Sequence, residues 1–523
     1  MRNNIGLLLA KRAHLNPELE AIVDVAAGSR FTYAEVNARC NRTANALRAL
    51  GVAKGDRVAL LLMNGIEFVE SFLAIAKLGA ICVPLNWRLT PEELAFILND
   101  SGASVLIFGS EFDAAVADLA GRALLRGEGE GASHIRAFLR VGPPGASPTS
   151  GFARDYAAVH DAAPADEPEP GAFDDDDLYI MYTSGTTGLP KGVIHTHETA
   201  LWGSLTVLAT AEQRYGDRYL LSLPLFHVGA LTPLTSNIHR GMTTVVLRTF
   251  DPSAVWRLVE SERIDIMLAV PAMLNFMLQV PEHQSVDRSK LRWILSGAAP
   301  VPVALIEKYA AMGIPVHQVY GMTESCGPAC LTSPETVLAK AGSTGKPFVH
   351  TDVRVVDADG RDVKPGESGE VLIRGPHVMK GYWKRPEATA ETLRDGWLHS
   401  GDIATVDAEG FVYIQDRKKD MFITGGENVY PAEVENVILQ HPGVGDVAVV
   451  GQPSEKWGES GFAVVVRRDP ALDAAAILAW CQGRLARFKQ PRGVAFVDAI
   501  PRNPSGKALK RVLREQFPGP APD

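Results

Sequence analysis

LYIMYTSGTTGLPKG, residues 178–192, joins a buried-strand pattern to a loop rich in hydroxyls and glycine. Residues 178–182 form a short apolar run ending in a Thr/Ser/Gly cluster, the pattern of an interior strand feeding a loop. The loop offers hydroxyls at Thr183, Ser184, Thr186 and Thr187. Gly185 and Gly188 lower the steric barrier, so that backbone N–H groups can turn towards an anion, and Lys191 adds a positive charge. Such a composition grips polyphosphate. The spacing is not that of the nucleotide-binding P-loop, because Lys191 follows Gly188 by three residues with Pro190 between them.

Working outward, helix and strand patterns alternate on the N-terminal side. A capping box, Thr32 to Glu35, opens a helix reaching about Leu50, and residues 58–63 read as a buried strand. A helix over 66–78, a strand over 81–85, a helix capped at Thr90 with Pro91 in its first turn, and a strand over 105–108 follow. This alternation predicts an α/β fold in which helices pack on mainly parallel sheets. Residues 142–177, rich in Pro, Ala and acid, read as a surface connection, and the four aspartates 174–177 as a solvated entry to the next strand.

Composition narrows the function classes. The 523 residues are enough for more than one core, and 46% are hydrophobic. A net charge of −9 argues against a nucleic-acid binder, whose affinity rests on concentrated Lys and Arg. Five scattered cysteines do not make a disulfide framework and fit a reducing, cytoplasmic setting. The N-terminal apolar run, residues 5–10, is followed by Lys11 and Arg12 and reads as a docking helix. The longest apolar region, 58–84, carries Glu67, Glu70 and Lys77, so no transmembrane segment is expected, while peripheral membrane contact stays open.

Beyond the loop, three more apolar strands end in polar interruptions. His227 closes SLPLFHVGA, a turn of small residues, Gly297-Ala-Ala-Pro300, follows residues 293–296, and VHQVYGMTE places Tyr320, Thr323 and Glu324 just past a strand end. Ligands gather at the carboxyl ends of strands in open α/β sheets, so these loops and residues 183–191 are expected to share a crevice. A carboxylate such as Glu324 beside phosphates implies an intervening Mg²⁺, which takes hard oxygen ligands. In isolation His227 reads as a core histidine, Tyr320 and Trp397 as core aromatics, Asp402 as a turn cap and Lys507 as a surface lysine.

Together the segments resemble the adenylate-forming superfamily, which includes acyl-CoA synthetases, firefly luciferase and peptide-synthetase adenylation domains. TSGTTGLPKG is similar to its phosphate loop, YGMTE to its adenine and Mg²⁺ motif, and GWLHSGD (396–402) to its ribose motif. IQDRKKDMFITGGENVYPAEVE (414–435) is similar to its hinge and following loop, and NPSGK (503–507) to the segment bearing its late catalytic lysine. The ensemble is most similar to bacterial medium- to long-chain fatty acyl-CoA synthetases. An aryl- or feruloyl-type CoA ligase uses the same motifs and stands as the alternative. One departure is Ala298, where many members carry glycine.

The resemblance implies ATP, Mg²⁺ and coenzyme A as cofactors and a fatty acid as substrate, with oligomeric state undetermined. It assigns Thr183, Ser184, Gly185, Thr186, Thr187 and Lys191 to the β- and γ-phosphates, Thr323 to the α-phosphate, and Thr183 with Glu324 to Mg²⁺. Gly297, Ala298, Ala299, Val319, Tyr320, Gly321 and Met322 would surround adenine, while Trp397, in the ribose motif, would belong to the nucleotide site, where Asp402 and Arg417 would hold the ribose. His227 would face the acyl carboxylate and Lys507 the adenylation transition state. An adenylation domain over 1–415, a hinge over 416–420 and a mobile C-terminal lid over 421–523 are implied. The lid would turn about Lys419, withdrawing Lys507 and presenting Gly425, Gly426 and Glu427 to coenzyme A.

Overall fold

The computed structural model describes residues 2–121, 135–143, 151–183, 189–298, 301, 303–417, 422–429, 431–501, 508 and 510–519. The chain divides into two units. The larger comprises Met1–Trp87, Leu98–Met181 and Gly192–Gln415, and the smaller Arg88–Ile97, Tyr182–Lys191 and Asp416–Asp523.

The main body of the larger unit is α/β. Its eight-stranded sheet runs, in spatial order, Gly381–Tyr382, Lys191–Thr196, Asp177–Thr183, Ile81–Pro84, Arg57–Leu61, Ala103–Gly109, Ala137–Val141 and Ala153–Asp155. A nine-stranded sheet contains the parallel series Val316–Tyr320, Trp293–Ser296, Ile266–Leu268, Arg218–Leu221, Thr243–Val246 and Glu20–Asp24. One apolar core joins residues of both sheets, Leu60 and Ile107 with Leu221 and Ile266, through helices Tyr33–Ala49 and Ile66–Leu78. The second of these helices is apolar on nearly every face and is buried at every position except Glu67. Its two other charges are neutralised locally: Glu70 binds Arg39 at 2.6 Å, and Lys77 binds Glu167 at 2.6 Å. A third sheet, five-stranded and antiparallel, contains Asp352–Val356, Ser368–Arg374 and Trp397–Val406.

Local signals place several elements where the sequence predicts them. Thr32 and Glu35 form a reciprocal capping box at the start of Tyr33–Ala49, and the N-terminal helix Ile5–Leu15 docks through Ile5 and Leu9. Two expectations are corrected. The connection 142–177 is not merely a surface loop, because it carries the strand Ala153–Asp155 and the helix Tyr156–Asp161, whose buried Tyr156 donates its hydroxyl to Glu70 at 2.6 Å. His227 does not close a strand; the strand Arg218–Leu221 ends earlier, and His227 is the N-cap position of the helix Val228–Arg240.

In the smaller unit, Glu427–Val429, Phe422–Thr424, Gly458–Arg467 and Val444–Ser454 form a sheet, with Gly493–Phe496 alongside Gly458–Arg467. Phe422, Val434, Ile438, Val449, Val465 and Ile477 pack its core. Residues 88–97 belong to this unit through two ion pairs: Arg88 meets Glu427, and Lys489 Nζ lies 2.8 Å from Glu93. Lys489 also lies 2.6 Å from Glu433, whose carboxyl is pushed up to about 7 by burial.

Candidate active site

The larger unit brings together the turns that follow two neighbouring parallel strands. Ser296 pairs in register with Gln318, so the turn at Gly297 lies beside the end of Val316–Tyr320. A Cβ on Gly297 would stand 2.2 Å from the Val319 carbonyl oxygen, so glycine permits the two backbones to touch. Ala298 follows with φ +68, a left-handed conformation costly for a residue with a Cβ.

Past Tyr320 the chain reverses at Gly321, where a Cβ would stand 1.4 Å from the Gly327 carbonyl oxygen, and enters the 3₁₀ turn Thr323–Ser325. The Tyr320 hydroxyl donates to Asp402 Oδ2 at 2.7 Å, joining the aromatic residue of one motif to the carboxylate of another 82 residues later. Asp402 is buried, and Glu324 is 8% exposed. The Tyr382 hydroxyl donates to Glu324 Oε1 at 2.8 Å, which fixes the orientation of the carboxylate. Sequence reasoning missed Tyr382; its strand is the two-residue pair Gly381–Tyr382, too short to give a local pattern.

His227 opens a helix that reaches this turn. Phe226 packs against its ring at 4.5 Å, and Trp87 packs edge-on against Phe226. Thr232, in the helix that His227 opens, donates its hydroxyl to the Cys326 carbonyl at 2.7 Å. Trp397 takes a different role, packing under the guanidinium groups of Arg354 and Arg374, 5.5 and 4.3 Å from its ring centre. Val319 and Met322 flank these positions and are half-buried.

In the smaller unit, Thr183 ends the strand Asp177–Thr183 and Lys191 opens Lys191–Thr196. Ser184, Gly185, Thr186, Thr187, Ala299, Lys419 and Lys507 lie outside the described residues, as does the side chain of Arg417. Gly425 and Gly426 have φ +55 and +83 and form a two-residue connection between Thr424 and its cross-strand partner Glu427. Positive φ at both positions is what a tight hairpin with matched strand twist requires. Trp457 covers Gly425, and its carbonyl accepts the Gly425 N–H at 2.9 Å.

The fold and the ordered motifs define a class, and the comparisons agree. The profile of AMP-binding enzymes matches residues 9–383, that of the AMP-binding enzyme C-terminal domain matches residues 433–507, and the protein belongs to the AMP-binding enzyme family. It is 48% identical over 519 residues, 99% of each chain, to the long-chain-fatty-acid–CoA ligase FadD13 of Mycobacterium tuberculosis. A feruloyl-CoA synthase of Amycolatopsis sp is 43% identical over 520 residues, covering 99% of this chain and 100% of that one. Among solved structures, a Mycobacterium tuberculosis fatty acyl CoA synthetase superposes with a TM-score of 0.74 at 46% identity, covering 98% of both chains.

Proposed function

We propose that the protein is an ATP-dependent fatty acid–CoA ligase. It condenses a fatty acid with ATP to an acyl-adenylate and pyrophosphate, then transfers the acyl group to the coenzyme A thiol with release of AMP. The observation that carries this reading is the 48% identity, over 99% of both chains, to a ligase named for long-chain fatty acids. The feruloyl-CoA synthase relative supports a second reading, an aryl- or cinnamoyl-CoA ligase with a shorter, flatter acyl pocket.

The chemistry fits the residue types. A carboxylate is already ionised at neutral pH, so attack on the α-phosphorus needs no general base, only alignment and charge neutralisation. In this reading Thr183 to Thr187 and Lys191 hold the leaving phosphates and Thr323 the α-phosphate. Residues 297–299 and 319–322 frame adenine, while Asp402 and Arg417 hold the ribose. His227 stands by the acyl carboxylate, and Lys507 stabilises the charge that builds in the transition state. Thr183 and Glu324 would hold Mg²⁺, which, when bound, screens the triphosphate. Their hydroxyl and carboxylate oxygens are the hard donors it takes, and the Tyr382 hydrogen bond orients the Glu324 carboxylate.

Residues 421–523 act as a lid that turns about Lys419, with Lys507 serving adenylation and Gly425 to Glu427 serving coenzyme A. We place the protein in the cytoplasm. Among the described residues no helix is long and apolar enough to cross a membrane, and the five cysteines are free and buried.

Two measurements test this reading. Across acids from acetate to palmitate, each buried CH₂ adds roughly 0.8 kcal/mol, so kcat/KM should rise several-fold per carbon until the pocket is full. A flat response, or ferulate exceeding laurate, moves the assignment to the second reading. Lys507→Ala should lower pyrophosphate release by roughly 10²- to 10³-fold while sparing thioester formation from presynthesised acyl-adenylate. Equal slowing of both half-reactions in a folded variant rules out the two-orientation mechanism.

A further inference from the structure

Four successive carbonyls around the Thr323–Ser325 turn accept hydrogen bonds from three separate segments of the larger unit. The Thr323 carbonyl accepts from His195 Nε2 at 2.7 Å, and the Glu324 carbonyl from the Met379 N–H at 2.8 Å. The Ser325 carbonyl accepts from His377 Nδ1 at 2.9 Å, and the Cys326 carbonyl from the Thr232 hydroxyl at 2.7 Å. Cys326 closes the turn at φ +54, a conformation rare for a residue with a side chain, so the turn is locally strained and depends on outside support.

The two histidines are fully buried, and their tautomers follow from their partners. A carbonyl only accepts, so His195 carries its proton on Nε2. Its Nδ1 then accepts from the Thr199 hydroxyl at 3.0 Å, which in turn accepts the Thr196 N–H. By the same argument His377 carries its proton on Nδ1, and its Nε2 accepts from the Thr351 hydroxyl at 2.7 Å. Each ring is therefore a neutral, oriented spacer between a hydroxyl and a main-chain carbonyl. Burial pushes both histidines down to about 4, so neither changes charge near neutrality.

We infer that His195 and His377 are positioning residues for adenylation: by clamping the backbone of the Thr323–Ser325 turn from opposite ends, they set where the Thr323 hydroxyl and the Glu324 carboxylate stand. The inference rests on the role given to that turn in the proposed function. It accounts for two buried histidines that touch no expected substrate group, and it uses them through the N–H they donate.

Isosteric pairs isolate that N–H. His195→Gln keeps a donor near the Nε2 position and His195→Met does not; His377→Asn and His377→Leu make the same contrast at Nδ1. Pyrophosphate release with saturating ATP, KM for the acid, and thioester formation from presynthesised acyl-adenylate are measured for each. A misplacement of about 1 Å at reacting groups costs up to ~10²-fold, so the Met and Leu variants should lose roughly 10- to 100-fold in kcat for pyrophosphate release, with acid KM changed less than about threefold. The Gln and Asn variants should stay within about threefold of wild type, and thioester formation should be largely preserved in all four. Equal losses within each pair, or no loss in the Met and Leu variants, overturn the inference. Should the Met and Leu variants not fold, the Gln and Asn variants decide: rates within about threefold uphold it, and a loss of about tenfold or more overturns it. Wild-type protein releasing no pyrophosphate with any acid defeats the functional reading and the inference together, whereas an active wild type with indifferent variants defeats the inference alone.

Discussion

Two turns carry much of the proposed chemistry, and they are held in opposite ways. The turn at residues 321–327 of the larger unit is fixed from outside, by backbone and side-chain donors 52 to 128 residues distant in the case of its two histidines. The hairpin turn Gly425–Gly426 of the smaller unit takes its shape from within, from two glycines at positive φ between paired residues Thr424 and Glu427, and is tied to the rest of the unit where the Trp457 carbonyl accepts the Gly425 N–H. A turn of the first kind inherits the rigidity of the core around it. One of the second kind takes its shape from its own backbone, and substitutions that do not reach Trp457 should leave it untouched.

The severest way to break the first turn is Gly321→Ala. Its methyl would stand 1.4 Å from the Gly327 carbonyl oxygen, a clash with backbone that no rotamer relieves. Overpacking against a fixed backbone costs on the order of 3 kcal/mol or more, so urea unfolding should show at least that loss and pyrophosphate release should collapse. Wild-type stability in this variant would show that the reversal is not packed as described.

Acid loosens the same turn through its clamps. His195 and His377 are each pushed down to about 4 by burial, against ~6.5 in the unfolded chain. Above pH 6.5 both states are neutral and the stability is fully present. As pH falls below 6.5 the unfolded chain takes up protons that the folded one refuses, until pH reaches the folded value near 4. Each histidine then withdraws about 2 kcal/mol by pH 5. Glu433 in the smaller unit, raised to about 7, works in the opposite direction and offsets part of the loss. His377→Asn should therefore lose about 2 kcal/mol less than wild type between pH 7 and pH 5 in urea titrations. Identical pH dependence in the two proteins would mean that His377 is not the buried neutral group described here.

The contrast also explains what was legible in the sequence. The helix starting after Thr32 and the fully buried helix Ile66–Leu78 are written in local patterns, a capping box and an uninterrupted apolar run. The glycine pair 425–426 announces its turn in the same way. Gly321 and the Tyr320–Asp402 contact were reachable only through the order of motifs, since nothing local ties an aromatic residue to a carboxylate 82 positions away. Tyr382, His195 and His377 were not legible at all. Each is an ordinary residue in a strand or loop, and its role comes from which carbonyl or carboxylate the fold sets opposite it. The strand and helix within residues 151–161 were missed because acidic and proline-rich flanks mask a short element anchored by one buried tyrosine.

The second turn should respond first to its own backbone. Gly426→Ala places a Cβ at φ +83, costing about 1–2 kcal/mol for a residue other than glycine. Thioester formation should fall with it, while pyrophosphate release stays near wild type. Equal loss in both half-reactions would tie this hairpin to adenylation and erase the distinction between the two turns.

Ala298 sharpens the comparison because it lies beside the first turn yet is constrained like the second. Its neighbour Gly297 must remain glycine to touch the Val319 carbonyl, but Ala298 is exposed, and what it bears is the strain of its own φ of +68. Relieving a left-handed alanine gains about 1–2 kcal/mol, and the extra freedom of an unfolded glycine returns about 0.5–1 of it. Ala298→Gly should therefore stabilise the protein by about 0.5–1 kcal/mol in urea unfolding. If the methyl also steadies the turn against adenine, KM for ATP should rise by up to about threefold in the same variant, with kcat unchanged. A glycine variant less stable than wild type would mean that the alanine side chain makes a compensating contact, and that the turn proposed to face adenine is, like residues 321–327, held from outside.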